Sequence, residues 1–232
     1  TFTKFIGACC NCGQPKIGTH VAPKIINNYL DTVFDMDMIE DFNTSGRGYR
    51  SLYALHNHYL HLQNKVITIG GDHSISLATV ASSAEKYKDD LTVVWVDAHP
   101  DLNTRESSLT QNIHGMPVAS ILGLDNLFNM PTIKPHQLIY IGIRDIDPYE
   151  QKIIHDLDIE NYTMDYINKY GLTDILTSIR NIDSPIHLSF DVDSIDPTYF
   201  ASTGTPVENG LNLDDIYNII ERLKGHIVSA DI

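Results

Sequence analysis

Short, almost uninterrupted apolar segments alternate with helical segments along the chain, and this alternation limits the folds available to it. Residues 65–70 (KVITIG), 91–96 (LTVVWV) and 138–143 (LIYIGI) are apolar segments of this kind. A strand that is apolar on both faces must be covered on both faces, which is typical of parallel sheets between two layers of helices. The pattern therefore predicts an α/β protein with a three-layer α/β/α architecture and a central, mostly parallel sheet.

The same pattern places eight strands and seven helices. We predict strands at 4–8, 32–36, 65–70, 91–96, 138–143, 159–163, 185–190 and 226–230, and helices at 22–30, 50–63, 74–88, 116–123, 148–156, 171–180 and 213–224. Pro148 at a first-turn position, and Asp214 and Asp215 in another first turn, support two of the helix starts. Residues 43–50 (NTSGRGYR) are too few to link two domains, so we expect a surface loop there and one domain over residues 1–232.

Charge and composition exclude several classes of partner. The chain carries a formal net charge of −14, which argues against binding to nucleic acid or to an anionic membrane surface. No apolar segment approaches the roughly 20 residues that a transmembrane helix needs, and no signal peptide is visible. Cys9, Cys10 and Cys12 are clustered and have no distant partner, which fits a reducing compartment, and we expect a cytoplasmic protein. A thiolate metal site would need a fourth ligand that the sequence does not offer, so we interpret the thiols as incidental.

Metal-ligand residue types follow three of the predicted strands. Strand 65–70 leads into Asp72 and His73, strand 91–96 into Asp97, His99 and Asp101, and strand 185–190 into Asp191 and Asp193. In an open parallel sheet, ligands bind beyond the carboxyl ends of the strands. We therefore expect these carboxylates and imidazoles to converge at one edge of the sheet.

The spacing of these residues predicts how they point. Residues two apart in an extended chain point the same way, which applies to Asp97 and His99 and to Asp191 and Asp193. Asp97 and Asp101 would lie about 13 Å apart in an extended chain, so the backbone must bend after His99.

Converging carboxylates repel one another unless cations neutralise them. Two divalent cations balance the charge of four aspartates. Oxygen and imidazole ligands without thiolates favour Mn²⁺ over Fe, Co or Zn.

Five motifs resemble the ureohydrolase family, and its arginases most closely. They are GGDHSIS (70–76), VDAHPDLNT (96–104), NIHGMPV (112–118), IGIRDIDPYE (141–150) and SFDVDSIDP…STGTPVENGL (189–211). The resemblance implies an α/β/α fold, two Mn²⁺ per chain and a homo-oligomer, often a trimer or hexamer. The implied metal ligands are His73, Asp97, His99, Asp101, Asp191 and Asp193, with Asp97 and Asp191 bridging.

The resemblance also implies a reaction, the hydrolysis of the guanidinium group of L-arginine to L-ornithine and urea by a metal-bridging hydroxide. Asp101 would accept a hydrogen bond from that hydroxide. His114 matches the family's proton-shuttle histidine, and an imidazole that titrates near neutrality can protonate a leaving amine.

Further positions match the family's contacts to the amino-acid end of the substrate. Asn103, Thr110 and Asn112 match the loop that binds the α-carboxylate, Asp147 matches the acid that receives the α-ammonium with Glu150 nearby, and Thr205 matches another substrate contact. Agmatine lacks the carboxylate and would leave polar groups of the site unpaired. We therefore expect L-arginine to be preferred over agmatine.

Other interpretations stay open at this stage. They are another ureohydrolase such as an agmatinase or formimidoylglutamase, a non-catalytic metal- or arginine-binding relative, and a single-metal zinc deacetylase of related fold. The family's guanidinium-binding glutamate would fall a few residues after Ile232, so we expect the sequence to be truncated at its C-terminus. Asn209 stands where the family often has glycine, and asparagine tolerates the left-handed conformation.

Overall fold

A central parallel sheet carries the fold. The computed structural model describes residues 3–30, 36–40, 48–125, 129–179 and 183–232. The strands are β1 (Thr3–Ala8), β2 (Met36–Ile39), β3 (Lys65–Ile69), β4 (Thr92–Val96), β5 (Leu138–Ile141), β6 (Glu160–Tyr162), β7 (Ile186–Phe190) and β8 (Ile227–Asp231). Their order across the sheet is β2-β1-β3-β8-β7-β4-β5-β6, and the neighbouring strands pair in parallel. The predicted parallel sheet is confirmed.

Helices cover both faces of this sheet. They are α1 (Ala22–Leu30), α2 (Gly48–His61), α3 (Ser76–Tyr87), α4 (Pro117–Ile121), α5 (Pro148–Asp156), α6 (Met164–Tyr170), α7 (Leu172–Ser178) and α8 (Leu213–Leu223). Successive residues of β4 alternate between the faces: Val94 and Val96 pack in a cluster with α6, α7 and α8, whereas Val93 and Trp95 pack in a cluster with α3, α4 and α5. The alternation explains why β4 is apolar throughout, as a strand between two helical layers must be.

Two local predictions near the start of the chain overlap only partly with the described residues. The edge strand β2 is described over Met36–Ile39, so it includes residue 36 of the strand predicted at 32–36, and residues 32–35 lie outside the described ranges. An edge strand tolerates an acidic side chain, and Asp37 pairs with Lys4 at 2.8 Å. Most of the loop predicted at 43–50 also lies outside the described residues, but its last three residues belong to α2.

Helix α6 is absent from the prediction, and the helix predicted at 171–180 is the shorter α7. Both boundaries of α6 have a local cause that was readable in the sequence. The side chain of Thr163 accepts a hydrogen bond from Tyr166 N and caps the start of α6. Gly171, with φ +84°, ends α6 and precedes α7, because glycine reaches positive φ without a steric cost.

Other local predictions are confirmed. Pro148 is the first residue of α5, Asp214 and Asp215 lie in the first turn of α8, and Asn209 has φ +62°. Asp196 holds the loop after β7, since it accepts hydrogen bonds from Thr198 N and from Gly210 N. Within the described part of the chain, no helix has the length and hydropathy to cross a membrane.

Candidate active site

The predicted metal-ligand residues converge at the carboxyl edge of the sheet. His73 follows β3, Asp97 follows β4 and Asp191 follows β7. These strands lie close together in the sheet, with β8 between β3 and β7. Because all the strands are parallel, the segments that follow them meet at one edge, as the sequence predicts.

His73 is surrounded by carboxylates on one side of its ring. Its Nδ1 lies 3.0 Å from Asp97 Oδ2, 3.1 Å from Asp101 Oδ2 and 3.3 Å from Asp191 Oδ2. The ring is buried, and this Nδ1 has no hydrogen-bond partner among the described residues. His73, Asp97 and Asp191 together offer ligand atoms close enough to hold one metal ion.

A second group lies beside the first. His99 Nδ1 is 3.2 Å from Asp193 Oδ2 and 3.6 Å from Asp97 Oδ1. Asp97, His99 and Asp193 also offer ligand atoms close enough to hold a metal ion. Asp97 therefore belongs to both groups, with one oxygen directed at each, which is the arrangement that a carboxylate shared by two cations requires.

The electrostatics of this edge favour a bound cation. Burial lowers the pKa of His73 and of His99, but the neighbouring carboxylates outweigh it, raising the pKa of His73 well above its ordinary value and that of His99 to about 12. Burial, followed by the charge of Asp97, raises the pKa of both Asp101 and Asp193. Without a cation, these buried carboxylates hold protons or pair with imidazolium groups. Divalent cations would neutralise the same negative charge. The orphaned Nδ1 of His73 and the oxygen-rich surroundings fit such ions.

The backbone reaches this geometry through turns. Asp97 and His99 belong to one group, as their spacing predicts, but Asp191 and Asp193 do not, so the extended-chain argument is wrong for that second pair. Asp97 Oδ1 accepts a hydrogen bond from His99 N at 2.8 Å, and Asp191 Oδ1 accepts one from Asp193 N at 2.9 Å. Such Asx turns fold the chain back within two residues. As a result, Asp191 and Asp193 serve different groups. The predicted bend after His99 is present, because Asp101 has φ +49°.

A cavity of about 300 Å³ opens beside the two groups. All the residues predicted for substrate binding line it: Asn103, Thr110, Asn112, Asp147, Glu150 and Thr205. Asn103 Nδ2 donates to Asp147 Oδ2 at 2.7 Å, and Thr205 Oγ1 donates to Asp193 Oδ2 at 2.9 Å. The structure thus brings these side chains to one wall of the site, and their contact with a substrate stays a prediction.

Glu150 lines the cavity and also holds two neighbouring segments together through hydrogen bonds. Its Oε1 accepts a hydrogen bond from Leu102 N at 3.0 Å, and its Oε2 accepts one from Asp147 N at 3.3 Å. Asp147 Oδ1 in turn caps α5 by accepting from Tyr149 N and Glu150 N. Burial raises the pKa of Glu150 to about 7. Glu150 therefore joins the segment after Asp101 to the start of α5.

His114 lies where two cavities meet. It lines the 300 Å³ cavity and a second one of about 460 Å³ that also reaches Asp72, His73 and Asp191. The backbone nitrogen of His114 donates to Gly13 O at 3.2 Å. Burial lowers its pKa, which favours the neutral imidazole. A neutral imidazole beside the metal groups can exchange protons with a reacting group.

The comparisons with known proteins agree with this geometry. The model of the Arginase family matches residues 3–232. The chain belongs to the arginase family. An arginase of Neurospora crassa is 43% identical over 186 residues, which cover 72% of this chain and 52% of that protein. The chain therefore spans about half the length of this curated relative.

Solved arginase structures share the fold over almost the whole chain. The Entamoeba histolytica arginase, determined in complex with L-ornithine, superposes with a TM-score of 0.90 at 33% identity and covers 99% of this chain and 90% of that one. The Bacillus subtilis arginase superposes with a TM-score of 0.88 at 30% identity and covers 100% and 89%. The predicted resemblance to the arginases is confirmed.

A buried polar network lies beneath His73 in this arginase-family chain, and the motifs do not predict it. Ser189 Oγ lies 2.9 Å from His73 Nε2 and donates to Asp231 Oδ1 at 2.8 Å. Asp231 Oδ2 lies 2.7 Å from His187 Nε2. His187 and Ser189 alternate with the apolar residues of β7, and Asp191 follows two positions later. That alternation was the available signal for a buried polar face of β7.

Two further residues shape the site of this arginase-family member. Trp95 stacks on the His73 ring with a centroid separation of 4.3 Å, and its Nε1 donates to Asp97 Oδ2 at 3.0 Å. Arg144 fastens the segment after β7 by donating to the backbone carbonyls of Gly142, Asp193, Ser194, Val207 and Glu208. Gly210 is required beside it, since a Cβ there would lie 2.6 Å from Arg144 Nη2.

Proposed function

We propose that this protein hydrolyses the guanidinium group of L-arginine to L-ornithine and urea, with two Mn²⁺ per chain. The observation that carries the proposal is the position of Asp97, which belongs to both acid–histidine groups beside a cavity lined by neutral donors and Asp147. Family membership supports the same reaction. The relative solved with L-ornithine supports a site of matching chemistry.

The chain's own residues would hold the two cations. His73, Asp97, Asp101 and Asp191 would bind one, and Asp97, His99 and Asp193 would bind the other. Asp191 lies in the first group and would also bind the second cation, as the family resemblance implies. When bound, such a pair of cations supplies Lewis acidity and makes water a nucleophile near neutral pH. Imidazole and carboxylate oxygens are ligands that suit manganese, whereas soft thiolate ligands are absent from both groups.

Two side chains would handle protons. Asp101 contacts His73 Nδ1 at 3.1 Å, and its carboxylate would accept a hydrogen bond from the attacking water. His114 lines both cavities and would deliver a proton to the amine that leaves as ornithine. Protonation of the leaving amine is needed, because an unprotonated amine is a poor leaving group.

The cavity wall would orient the amino-acid end of the substrate. Asn103, Thr110 and Asn112 offer neutral donors for the α-carboxylate. Asp147 offers a negative charge for the α-ammonium, and its position is held by the bond to Asn103 and by the cap of α5. Thr205 lines the same cavity and would also contact the substrate. A site with these groups would prefer arginine over agmatine, which lacks the carboxylate.

We further propose that residues 1–232 act as one domain, in the cytoplasm and within a homo-oligomer. The family match over residues 3–232 and the continuous sheet support one domain. Three free thiols support a reducing compartment. The assembly, a trimer or hexamer, rests on the family resemblance alone.

The test is urea release from L-arginine after loading with Mn²⁺, with agmatine in parallel and bound metal counted by mass spectrometry. We expect turnover of arginine alone and about two Mn²⁺ per chain. Two metals without turnover would contradict the reaction, and equal catalytic efficiency on agmatine would contradict the specificity. Absence of bound metal would contradict the whole proposal.

A further inference from the structure

A pair of thiols lies beside the metal-binding edge and takes no part in the proposed reaction. The Sγ atoms of Cys10 and Cys12 are 3.1 Å apart, and each lies 3.4 Å from the hydroxyl of Ser74. Cys10 is fully buried, whereas Cys12 is half buried. Cys9 is buried too and makes no thiol–thiol contact among the residues that the structure describes.

The separation of the two sulfurs is suited to bond formation. A disulfide has an S–S length of about 2.0 Å, so closure requires an approach of only about 1 Å. The bond would enclose a single intervening residue, Asn11, and so small a loop adds little stability through the unfolded state. A disulfide that adds so little stability to the folded state is readily reversed by thiol–disulfide exchange.

The two thiols differ in reactivity. The hydrogen bond between them lowers the pKa of Cys12 and raises that of Cys10 well above its ordinary value. The thiolate is the reacting form of cysteine. Cys12 therefore combines the greater thiolate character with the greater access to solvent, and Cys10 is placed to react second.

We propose that Cys10 and Cys12 are a redox-active dithiol that hydroperoxides oxidise reversibly to a disulfide. The Cys12 thiolate attacks one peroxide oxygen and the O–O bond breaks, which leaves a sulfenic acid on Cys12 and releases water after protonation. The sulfur of Cys10 then attacks that of Cys12, the S–O bond breaks and a second water leaves with the proton of Cys10. Two thiols and one hydrogen peroxide become one disulfide and two waters, and a dithiol reductant reverses the change.

The backbone around the pair connects it to the candidate active site. Asp72 N donates to Cys10 O at 3.0 Å, and Gly13 N donates to Asp72 Oδ2 at 2.9 Å. Asp72 caps the turn that begins at His73, and Gly13 O accepts from His114 N at 3.2 Å. Closing the disulfide moves Cys10 and Cys12 against these bonds. We therefore expect oxidation to lower turnover, an expectation that rests on the proposed function.

The close contact between the backbones of Cys10 and Gly71 restricts movement of Cys10. A Cβ at Gly71 would lie 1.7 Å from Cys10 O, so the two backbones are already in close contact. Movement of Cys10 must therefore be shared with the segment that carries Asp72 and His73. A displacement of about 1 Å in a catalytic constellation can cost up to 100-fold in rate.

The experiment oxidises the manganese-loaded protein with hydrogen peroxide and follows thiols, mass and urea release together. We expect titratable thiols to fall from three to one, tandem mass spectra to join Cys10 to Cys12, and turnover to fall roughly tenfold or more. A dithiol reductant should restore both. Cys9→Ala is the matched control: its thiols should fall from two to none, and its turnover should respond as in the parent. Cys12→Ser should keep its turnover after oxidation.

Three results would each contradict the proposed redox-active dithiol: three titratable thiols after treatment, a disulfide that includes Cys9, or irreversible oxidation of Cys12 to a sulfinic acid. A disulfide that forms without any change in turnover would overturn the connection to the active site. Should the reduced protein release no urea, the proposed function fails, but the thiol count and the mass spectra still decide the dithiol.

Discussion

The Nε2 atom of His73 lies 2.9 Å from the hydroxyl of Ser189, and this contact sets which ring nitrogen carries the proton. Ser189 donates its own hydrogen to Asp231 Oδ1, so its oxygen accepts from His73 Nε2–H. With the proton on Nε2, the lone pair of Nδ1 would be free to bind a cation held among Asp97, Asp101 and Asp191. A neutral imidazole that donates through one nitrogen and binds a metal through the other is the arrangement that supporting residues produce at metal sites.

Ser189→Ala should therefore weaken metal binding more than it weakens the fold. We expect a loss of roughly 10- to 100-fold in Mn²⁺ affinity at one of the two sites, measured by calorimetric titration of metal-free protein. Ser229→Ala is the control, because Ser229 is a buried serine on β8 that contacts Tyr59. Equal losses in the two variants would show that Ser189 has no specific effect on His73.

The shared position of Asp97 predicts different metal counts for two substitutions. Asp97→Asn removes a ligand from both groups and should leave well under one Mn²⁺ per chain, whereas Asp193→Asn should leave about one. Metal analysis after gel filtration measures both, with Asp196→Asn as a control that anchors only a loop. Retention of two metals by Asp97→Asn would contradict the bridging role.

The role of His114 predicts a loss of rate without a loss of metal. His114→Asn should lower kcat for arginine by about 10²- to 10⁴-fold, while the Mn²⁺ content stays at the parent value. Steady-state urea release and metal analysis on the same sample separate the two effects. A variant with full activity would exclude His114 as the proton donor.

Substitutions at the two ends of the proposed substrate site should affect arginine and agmatine hydrolysis differently. Asn112→Ala should lower kcat/KM for arginine roughly tenfold and leave agmatine hydrolysis, if measurable, unchanged, because agmatine has no carboxylate. Asp147→Asn should lower kcat/KM for both substrates, because both carry the amine. Asparagine is also a good helix cap, so α5 should keep its stability, which circular dichroism checks.

The pKa of Glu150 predicts a pH-dependent stability. Burial raises the pKa of this carboxyl from 4.5 to about 7 in the folded protein, so the folded state binds more protons than the unfolded state between these values. The free energy of unfolding therefore falls as pH rises through that window, on the order of 3 kcal/mol for this group.

Glu150→Gln should remove this dependence, while the amide adds a constant cost because one of the two backbone N–H partners loses its acceptor. Urea unfolding of both proteins at pH 5 and pH 8 gives the difference in slope, in which effects common to both cancel. Identical pH dependences would show that Glu150 titrates normally.

The apolar segments and strand ends were enough to predict the parallel sheet, its three layers and the edge that carries the site. Those features depend on local patterns: an all-apolar strand such as 92–96 needs two covering layers, and the carboxyl ends of parallel strands share an edge. The motifs likewise indicate the family, and they identify residues such as His73 and Asp97 by type and spacing. Helix α6 shows the limit, because the apolar pattern does not predict it although Thr163 and Gly171 mark both of its ends.

Only the tertiary structure decided which ligand belongs to which group and what supports each one. Asp191 and Asp193 are neighbours in sequence, but an Asx turn sends them to different groups, and spacing alone does not encode that turn. Ser189, Asp231 and the Cys10–Cys12 pair acquire their roles from contacts between β1, β3, β7 and β8, which are far apart in sequence. The sequence determined the chemistry available at the edge of the sheet, and packing across the strands determined how that chemistry is combined.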